Sequence, residues 1–584
     1  MKVCEYLANF LAERGCRHVF GVPGGMAMYL NDALGHHPKL TWVSTLHEQA
    51  AAIAAEAYAT TSGGIGVCCV TAGPGATNAI TGCLAAWQES TPVVFISGQV
   101  KSADIGCGVP LRQCGAQQAP IIRMVGPITK YAITVHEANS LPDILHTAFY
   151  EMMFHRNGPV WIEIPLDVQN AEITTNRTII ERHPYKLDCE RPWLREATAK
   201  IARKIANAAR PVILVGNGVR RAKAEPLLAQ LIERARIPVL TTWQGKDLIP
   251  ADHPLNCGSP GSFAPRGANW AMQRADLLLI IGARMDKAII AYDAKNLAKH
   301  AHKIMVDVDP NEIAKLGCID EAIPVDAEEF LREILKAEWP YVSRDWIERC
   351  QAWRDDHQIV QSHHRDGIDL SMYAFAEALS DACEQTDVIL PGSSGLCAEI
   401  MWAVLKSKKG QRIFSSKGTG AMGFGPPAAI GAALASGRRV VCVDGDGSFQ
   451  MNVQELETIR RLNLNIKFFV INNGGYASIR TSQMKHLGRK IGADEESGMT
   501  LPKLNKVAYG YGVHGFAVRE AEFLHRYVRG TLAEPGTVIC EVFVRKDEVR
   551  EPCVQTMIDA DGKIHSGKLE NMWPPIEEQV CNAT

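Results

Sequence analysis

The segment GDGSFQMNVQELETIRRLNLNIKFFVINNGGY, residues 445–476, places an acid and an amide at the ends of two apolar runs. RVVCVDG just before it and IKFFVINN within it are continuous apolar stretches, which is typical of buried parallel strands. VQELETIRRL between them has apolar residues at helical spacing. Because parallel strands end at the same edge of a sheet, Asp446 and Asn473 are predicted to lie close together.

Oxygen ligands at such an edge suit a magnesium ion. Carboxylate and amide oxygens are hard ligands, and Mg²⁺ keeps some water while taking phosphate oxygens. Gly445, Gly447 and Gly475 are expected to let the backbone approach closely. The alternative is that Asp446 caps the following helix and the asparagines form a turn. The segment therefore predicts either a magnesium–phosphate site or a helix cap.

Length and charge narrow the class of protein. The chain has 584 residues and a formal net charge of -2, which predicts about three domains and offers no basic field for nucleic acid. No apolar run approaches the roughly 20 residues of a membrane helix, and the N-terminus has the pattern of an amphipathic helix rather than a signal peptide. Seventeen scattered cysteines argue against zinc sites and a disulfide framework. We therefore expect a cytoplasmic protein whose thiols mostly lie in the core.

Three blocks of alternating strand and helix patterns make up the chain. They predict an α/β fold with three doubly wound parallel sheets. The predicted domains are 1–168, 193–340 and 371–545, with a polar linker over 169–192 and a tail over 546–584. The first and third blocks look alike in architecture, although they share no residue-level repeat.

A second signature lies in the first block. STLHEQAAAIAAEAYAT, residues 44–60, places Glu48 just inside a helix that follows a strand. A buried acid beside a heterocycle nitrogen is suited to a proton relay. The alternative is an acid favoured by the helix macrodipole. His47 is a packed or loop histidine on this pattern, with a catalytic role as the secondary hypothesis.

These two signatures resemble those of thiamine diphosphate (ThDP) enzymes, and the likeness to the acetolactate synthase-like group covers almost the whole chain. It implies a pyrimidine-binding, a central Rossmann-like and a diphosphate-binding domain. The motifs that carry it, in addition to residues 445–476, are FGVPGGMAMYLNDAL (20–34), VTAGPGATNAITG (70–82), RPVILVGNG (210–218), ADLLLIIGARMD (275–286) and KGTGAMGFGPPAAIGAALA (417–435).

The resemblance implies a role for several side chains. Glu48 would hydrogen-bond the aminopyrimidine ring of the cofactor, and Gln117 would steer a developing oxyanion on the substrate side. Asp446, Asn473 and the carbonyl of Gly475 would hold Mg²⁺. These assignments follow from the family likeness and not from spacing alone.

The same resemblance implies the remaining cofactor contacts. The turn at 391–395 would offer backbone N–H groups and hydroxyls to phosphate, although a plain tight turn is the alternative. The Gly420 carbonyl would accept from the pyrimidine amino group, and Met422 would lie under the bent cofactor or simply fill the core. The implied cofactor-binding set is Pro23, Gly24, Gly73, Asn78, Gly392, Ser393, Ser394, Gly420, Met422, Gly445, Asp446, Gly447, Ser448, Asn473, Gly475 and Tyr476.

Two regions depart from the family pattern. Ala116 and Gln118 replace the family's phenylalanine and acid around Gln117, which is expected to open or repolarise the acceptor pocket. The family's flavin-linked run is Arg-Met-Asp-Lys-Ala here, at residues 284–288. Four middle-domain residues remain compatible with a dinucleotide such as FAD, and an empty domain or a different nucleotide is the alternative: Gly216, Gly218, Thr241 and Asp307.

The function implied is a carboligase that decarboxylates a 2-keto acid, pyruvate above all, and transfers a two-carbon acyl unit to a carbonyl acceptor. The alternatives are a lyase, decarboxylase or C–C hydrolase on the same scaffold, and a non-catalytic nucleotide-binding protein. VPLRQCGAQQ (109–118) and DADGKIHSGKLENMWPPI (559–576) resemble a subgroup encoded with polysaccharide and sugar-nucleotide pathways, which suggests a keto-sugar acceptor. A homodimer or homotetramer with active sites between subunits is also implied, with no nucleic-acid or membrane partner.

Overall fold

The computed structural model describes residues 1–106, 109, 111–174, 191–339, 343–558 and 564–576. The linker predicted over 169–192 and the tail predicted over 546–584 therefore lie partly outside the described residues, as do parts of the motifs at 109–118 and 559–576. Three parallel α/β sheets and a two-stranded antiparallel hairpin are formed by the described part of the chain. The predicted fold class is confirmed.

The first sheet has six strands in the order β2-β1-β3-β4-β6-β5. Its strands are β1 (His18–Gly21), β2 (Thr41–Ser44), β3 (Gly66–Val70), β4 (Val93–Gln99), β5 (Tyr131–Thr134) and β6 (Val160–Pro165). Its α-helices are α1 (Val3–Glu13), α2 (Met28–Gly35), α3 (Glu48–Ser62), α4 (Pro74–Asn78), α5 (Ile80–Gln88), α6 (Ile121–Val125), α7 (Leu141–Met153) and α8 (Leu166–Gln169).

The middle sheet has five strands in the order β11-β10-β9-β7-β8. Its strands are β7 (Pro211–Val215), β8 (Val239–Thr241), β9 (Leu277–Ile281), β10 (His302–Val306) and β11 (Glu321–Ile323). The α-helices of this part of the chain are α9 (Pro192–Asn207), α10 (Gly218–Arg221), α11 (Glu225–Ala235), α12 (Arg266–Gln273), α13 (Pro310–Ala314), α14 (Ala327–Ile334), α15 (Arg344–Asp356) and α16 (Ser362–Arg365).

The third sheet has six strands in the order β13-β12-β14-β15-β17-β16. Its strands are β12 (Val388–Leu390), β13 (Arg412–Ile413), β14 (Val440–Gly445), β15 (Ile466–Asn472), β16 (His514–Val518) and β17 (Val538–Phe543), and the tail hairpin is β18 (Thr556–Ile558) with β19 (Ile564–Ser566). The α-helices are α17 (Met372–Ala382), α18 (Gly395–Val404), α19 (Gly425–Ser436), α20 (Asp446–Gln450), α21 (Glu455–Arg461), α22 (Ala477–Leu487), α23 (Leu504–Gly510) and α24 (Leu524–Ala533).

The first and third sheets have the same topology. If strands are counted from the start of each domain, both orders are 2-1-3-4-6-5, so the predicted likeness of these blocks is confirmed. In such sheets ligands bind beyond the carboxyl ends of the strands where the order reverses. That point lies between β1 and β3 in the first sheet and between β12 and β14 in the third. No helix of the described residues is long and apolar enough to cross a bilayer.

Helices α3 and α19 join the first domain to the third through small side chains. All eleven residues from Ala50 to Thr60 on α3 are buried. A Cβ added at Gly431 of α19 would lie 2.1 Å from the carbonyl oxygen of Ala54. Only a glycine there allows the two backbones to approach this closely, and the contact holds the middle of α3 against the third domain.

A buried ion network joins all three domains. Asp247 of the middle domain accepts from Arg220 at 2.8 Å and from Arg412 of the third domain at 2.9 Å, with none of its side chain exposed. Burial alone would raise the pKa of Asp247, but the two guanidinium charges outweigh it and lower that pKa. Arg221 lies close by and donates to Thr91 of the first domain at 2.6 Å. The three domains therefore pack as one unit.

We expect Arg412→Met to lower the midpoint of thermal unfolding by several degrees. It would leave the fully buried carboxylate of Asp247 with one guanidinium fewer, and breaking a buried pair costs about 3–5 kcal/mol. Differential scanning calorimetry checks this. Arg332→Met, which breaks an exposed pair with Glu328, should leave the midpoint unchanged; equal effects from both variants would contradict the structural role of the network.

Candidate active site

Asp446 lies at the carboxyl end of β14, where it begins α20. Its carboxylate accepts the backbone N–H of Gly447 at 2.8 Å and of Gly475 at 2.9 Å. The side chain is buried, and burial raises its pKa to about 6. Both roles foreseen for the acid are therefore compatible, because two oxygens with two acceptor sites each can hold these N–H groups and still ligate a cation.

The two asparagines after β15 have different surroundings. Asn472 donates to the carboxylate of Glu541 at 2.7 Å and accepts from Gly474 at 3.1 Å. The Asn473 side chain makes no hydrogen bond within the described part of the chain. Asn473 is therefore the asparagine whose side chain is available to a ligand. It lies near Asp446 because the N–H of Gly475, two residues later, donates to the Asp446 carboxylate.

Glycine is required at two positions around this acid. A Cβ at Gly447 would lie 2.3 Å from the ring of Tyr476, and one at Gly475, where φ is 112°, would lie 2.5 Å from the Ala493 carbonyl. At Gly445 no such approach exists, since the atom nearest an added Cβ is Cys397 Sγ at 3.6 Å. The predicted close approach of the backbone is therefore seen at Gly447 and Gly475 but not at Gly445.

The turn after β12 lies at the point where the strand order reverses. Gly392 has a φ of 85°, and Ser394 precedes the first turn of α18. The Ser393 hydroxyl donates to the Ala421 carbonyl at 2.7 Å. This hydroxyl therefore holds the neighbouring loop, so backbone N–H groups and Ser394 are what the turn can offer to a phosphate.

The loop over residues 420–423 is hydrogen-bonded to the segment that follows Asp446. The Gly423 N–H donates to the hydroxyl of Ser448 at 3.1 Å, and Asn452 donates to the Gly423 carbonyl at 2.7 Å. Gly420 has a φ of 61°, and Met422 is 37% exposed. Asn452 was not foreseen, although it lies only six residues after Asp446 in the sequence. It also donates to Gln49 at 3.2 Å.

Glu48 is the first residue of α3, as predicted. His47 is the N-cap, and its Nδ1 accepts the N–H of Gln49 at 3.1 Å, so His47 serves the helix. The Glu48 carboxylate accepts from Asn78 at 3.0 Å and lies 3.3 Å from where a Cβ at Gly75 would be. Asn78, expected at the cofactor, therefore orients the acid.

The surroundings of Glu48 form one wall at the ends of β1, β3 and β4. A Cβ at Gly73 would lie 2.4 Å from the carbonyl oxygen of Gln117, and one at Gly24 would lie 2.5 Å from Thr71. Gln117 itself has a φ of 66°, a strained conformation typical of functional sites. Pro23 precedes Gly24 and is exposed. The structure thus brings the predicted first-domain residues together.

We expect Gly73→Ala to reduce kcat/KM by displacing Gln117. The added methyl group would collide with the Gln117 carbonyl, and a φ of 59° strains a non-glycine residue by about 1–3 kcal/mol. Steady-state kinetics on the folded variant checks this. Gly63→Ala is the matched control, because Gly63 has a φ of 68° with no atom within 4 Å of an added Cβ. Equal losses in both variants would show that backbone strain, rather than the contact with Gln117, matters.

The residues flanking Gln117 face different ways. Ala116 is exposed, whereas the Gln118 side chain accepts the N–H of Cys114 at 2.7 Å. The Gln118 side chain therefore stabilises its own loop. Its amide oxygen is occupied by this bond and does not supply the expected change in pocket polarity. Behind this loop, Gln99 donates to Ala119 at 3.0 Å and to Glu163 at 2.8 Å.

The first-domain set touches the third domain on either side of Glu48 within a single chain, because Gln49 accepts from Asn452 and the N–H of Leu46 donates to Glu455 at 3.0 Å. No hydrogen bond among the described residues links the Glu48 side chain to the third domain. Apolar side chains beside both sets are exposed: Leu46 at 56%, Met422 at 37% and Met451 at 45%. The hydroxyl of Thr71 in the first set is buried without a partner in the described structure. Both sets therefore keep exposed apolar side chains, and the first also keeps a polar group without a partner in the described structure.

The donor set fits the diphosphate and Mg²⁺ of a thiamine cofactor. A carboxylate and a free amide oxygen converge beside a glycine loop, which is the chemistry that Mg²⁺ and phosphate require. Asp446, Asn473 and Gly475 supply these groups, although the Gly475 carbonyl also accepts from Ala477 at 3.0 Å.

A cavity of about 600 Å³ lies where the three domains meet. We call it the central cleft; Glu89 of the first domain, Trp243 and Asp307 of the middle domain and Lys417 of the third all line it. Burial raises the pKa of Glu89 to about 7 and that of Asp307 to about 6. Asn217 Oδ1 at this cleft is buried with no partner among the described residues.

The cleft includes only part of the predicted dinucleotide set. Gly218 and Asp307 line it. Gly216 instead packs on Gly282, because an added Cβ would lie 2.3 Å from the Gly282 carbonyl oxygen. Thr241 is buried behind the wall with its hydroxyl 3.0 Å from that of Ser259, and the next residue, Thr242, faces the cleft. The orphaned Asn217 oxygen and the cavity volume fit a dinucleotide.

One further group of potential metal ligands occurs in the described residues: His363, His364 and Glu551. Nδ1 of His364 accepts the backbone N–H of Gln361 at 3.0 Å. The ring proton therefore lies on Nε2, which donates to Glu551 at 3.0 Å. Since that nitrogen has no lone pair for a cation, the group is a hydrogen-bonded structural contact.

Comparisons with known proteins agree with this geometry. Residues 1–121, 198–334 and 393–542 match the families described as "Thiamine pyrophosphate enzyme" N-terminal TPP binding domain, central domain and C-terminal TPP binding domain.

Similar proteins align over most of their length. The chain is 31% identical to acetolactate synthase isozyme 2 large subunit of Escherichia coli (strain K12) over 592 positions, covering 100% of this chain and 99% of that protein. It is 32% identical to acetolactate synthase of Arthrospira platensis, covering 94% and 95%, and 33% identical to a probable acetolactate synthase large subunit of Methanocaldococcus jannaschii, covering 88% and 87%. The chain thus belongs to the thiamine pyrophosphate enzyme family, in its acetolactate synthase-like group.

Proposed function

We propose that this protein is a ThDP- and Mg²⁺-dependent carboligase that decarboxylates a 2-keto acid, pyruvate by preference, and transfers the two-carbon acyl unit to a carbonyl acceptor. Its class, a ThDP-dependent transferase of the acetolactate synthase type, follows from the family. Two observations together carry the proposal. Asp446 and Asn473 offer oxygen atoms to a cation. A different acid, Glu48, has a side chain whose only hydrogen-bonding partner among the described residues is Asn78.

The thiamine ring, when bound, supplies the electron sink for decarboxylation and carbon–carbon bond formation. Glu48, which accepts from Asn78, would exchange a proton with the pyrimidine nitrogen. Asp446 and Asn473 would hold the cation that neutralises the diphosphate. Met422 and the Gly420 carbonyl would support the ring from the third domain, and Gln117 would donate to the oxygen of the reacting substrate.

Two observations support a larger acceptor than a small keto acid. Ala116 presents only a methyl group beside Gln117, and it is exposed. Gln118, the other departure, is neutral, and its side chain accepts the N–H of Cys114 within its own loop. We therefore propose a bulky carbonyl acceptor, of which a keto-sugar is one example.

The proposed cofactors include FAD in the central cleft. Support comes from the cavity of about 600 Å³ and from its aromatic and acidic lining, which suits a dinucleotide. Thirteen cysteines of the described residues are free and one, Cys114, is disulfide-bonded. The predominance of free thiols supports a reducing compartment, and hence the cytoplasm.

We propose that the active site forms between two copies of the chain, as a homodimer or a dimer of dimers. Support comes from the exposed apolar residues Leu46, Met422 and Met451 beside the two sets and from the absence, among the described residues, of a hydrogen bond from the Glu48 side chain to the third domain. A complementation experiment tests it: Glu48→Gln and Asp446→Ala chains are each expected to be inactive. Mixed and refolded together, they should regain about a quarter of wild-type activity, since each hybrid dimer has one intact site. No recovery would place the site within one chain.

The central assay follows pyruvate consumption with a panel of aldehyde and ketone acceptors, with product identification by mass spectrometry. A ligated product that requires both ThDP and Mg²⁺ is expected. Release of free acetaldehyde with every acceptor would favour a lyase or decarboxylase instead. Absence of turnover together with absence of ThDP binding would leave the non-catalytic nucleotide-binding alternative, against which the intact Glu48, Asp446 and Asn473 argue.

A further inference from the structure

The order of the strands determines the order of the groups along the central cleft. In the middle sheet β10, β9, β7 and β8 are successive neighbours. Asp307 follows β10, Gly282 follows β9, Asn217 follows β7 and Trp243 follows β8. Since neighbouring strands lie about 4.8 Å apart, Asp307 and Trp243 are separated by three strand-to-strand distances. Gly282 and Gly218, which also line the cleft, lie between them.

This arrangement gives the cleft a direction. An acid at a strand end accepts hydrogen bonds from a ribose in dinucleotide-binding sheets, and a glycine-lined floor admits the pyrophosphate. Asp307 therefore marks the adenosine end, and Trp243 marks the end at which the second ring would lie.

Lys417 lies at that second end. Its ammonium nitrogen is 5.1 Å from the centroid of the Trp243 ring. The residue is carried by the third domain, and the next N–H, that of Gly418, donates to the carboxylate of Glu89 at 2.7 Å. This bond fixes the backbone from which Lys417 extends into the cleft.

The charge of Lys417 is not neutralised by a direct partner. Of the two nearest acids, Glu399 pairs with Arg550, and Asp286 accepts the N–H groups of its own turn at 2.8 and 3.2 Å. No hydrogen bond or ion pair to the Lys417 ammonium occurs in the described residues. Burial lowers the pKa of Lys417, partly countered by Glu399. A half-buried cation with only an aromatic face beside it is suited to an electron-rich ligand.

We propose that Lys417 recognises the second ring of the bound dinucleotide by donating a charge-assisted hydrogen bond to a carbonyl oxygen or ring nitrogen of that ring. The inference rests on the proposed occupation of the cleft by FAD. A cation at that position stabilises a flavin more in its anionic reduced form than in its oxidised form, so Lys417 would raise the reduction potential of the flavin.

Binding measurements on the cofactor-stripped full chain test the contact. FAD and ADP are titrated separately into wild type, Lys417→Met, Lys417→Arg and Lys295→Met, the last removing an exposed charge of the middle domain that does not line the cleft. Lys417→Met should weaken FAD binding about tenfold and leave ADP binding unchanged, because ADP lacks the second ring. Lys417→Arg and Lys295→Met should bind both ligands as wild type does. Unchanged ADP affinity also shows that the variant is folded.

The reduction potential of the bound flavin gives a second readout that does not depend on turnover. Lys417→Met should lower it by about 30 mV, which is a tenfold change for a two-electron couple, while Lys417→Arg retains it. If Lys417→Met binds FAD normally with an unchanged potential, the inference is wrong and the flavin proposal stands. If wild type binds ADP but not FAD, both fail together, whereas ThDP-dependent product formation is unaffected.

Discussion

Glu48→Gln is expected to lower kcat about 10²–10⁴-fold, the usual contribution of a positioned acid–base group. The amide is isosteric, and its oxygen can still accept from Asn78, which now holds the carboxylate at 3.0 Å. ThDP affinity and the thermal midpoint should therefore stay close to those of wild type. Single-turnover measurements with pyruvate, paired with a ThDP titration, separate the chemical step from binding.

A second first-turn acid provides the control. Glu5 of α1 also lies in the first turn of a helix but far from the proposed site in sequence. Glu5→Gln should leave kcat unchanged. If Glu48→Gln were as active as Glu5→Gln, Glu48 would be only an acid favoured by the helix dipole.

Asp446→Ala is expected to weaken Mg²⁺-dependent ThDP binding by about 100-fold or more, because even residues that only support a metal ligand contribute about 10–100-fold. The variant loses a cation ligand and also the acceptor for the N–H groups of Gly447 and Gly475. Calorimetric titration with ThDP over a range of Mg²⁺ concentrations measures the effect. Chelation of Mg²⁺ from wild type should reproduce the loss.

Asn473 supplies a matched pair of variants. Asn473→Ala removes a neutral oxygen ligand, so its effect should be smaller than that of Asp446→Ala, while Asn473→Asp keeps an oxygen and should retain Mg²⁺-dependent binding. If Asn473→Ala binds ThDP with wild-type dependence on Mg²⁺, the amide does not contact the cation.

The sequence predicted the strands well because parallel strands covered by helices are apolar on both faces. HVFGV, GVCCV and PVVFISG, for example, became β1, β3 and β4. The helix predicted from VQELETIRRL, residues 453–462, is α21 (Glu455–Arg461). The separate helix before it, α20 (Asp446–Gln450), was not predicted; between the two, the side chain of Asn452 donates to the carbonyl of Gly423.

Side-chain assignments were harder to make from sequence. A pair of adjacent asparagines gives no indication of which one is free, and the answer depends on Glu541, which takes the amide of Asn472 at 2.7 Å. The hydroxyl of Ser393 was expected at the phosphate, yet it bonds to Ala421 at 2.7 Å. Thr241 was expected at the cleft, where the next residue lies instead.

The amino-acid sequence by itself determined the three parallel sheets and the presence of Glu48, Asp446 and Asn473 at their edges. These features depend on local patterns: apolar runs produce buried strands, and the residue that follows each run comes to the edge of the sheet. Only the tertiary structure decided which polar atoms stay free and that the central cleft has Lys417 at one end. Those outcomes depend on groups far apart in the chain, such as Glu89 and Gly418, which meet only after the three domains have packed.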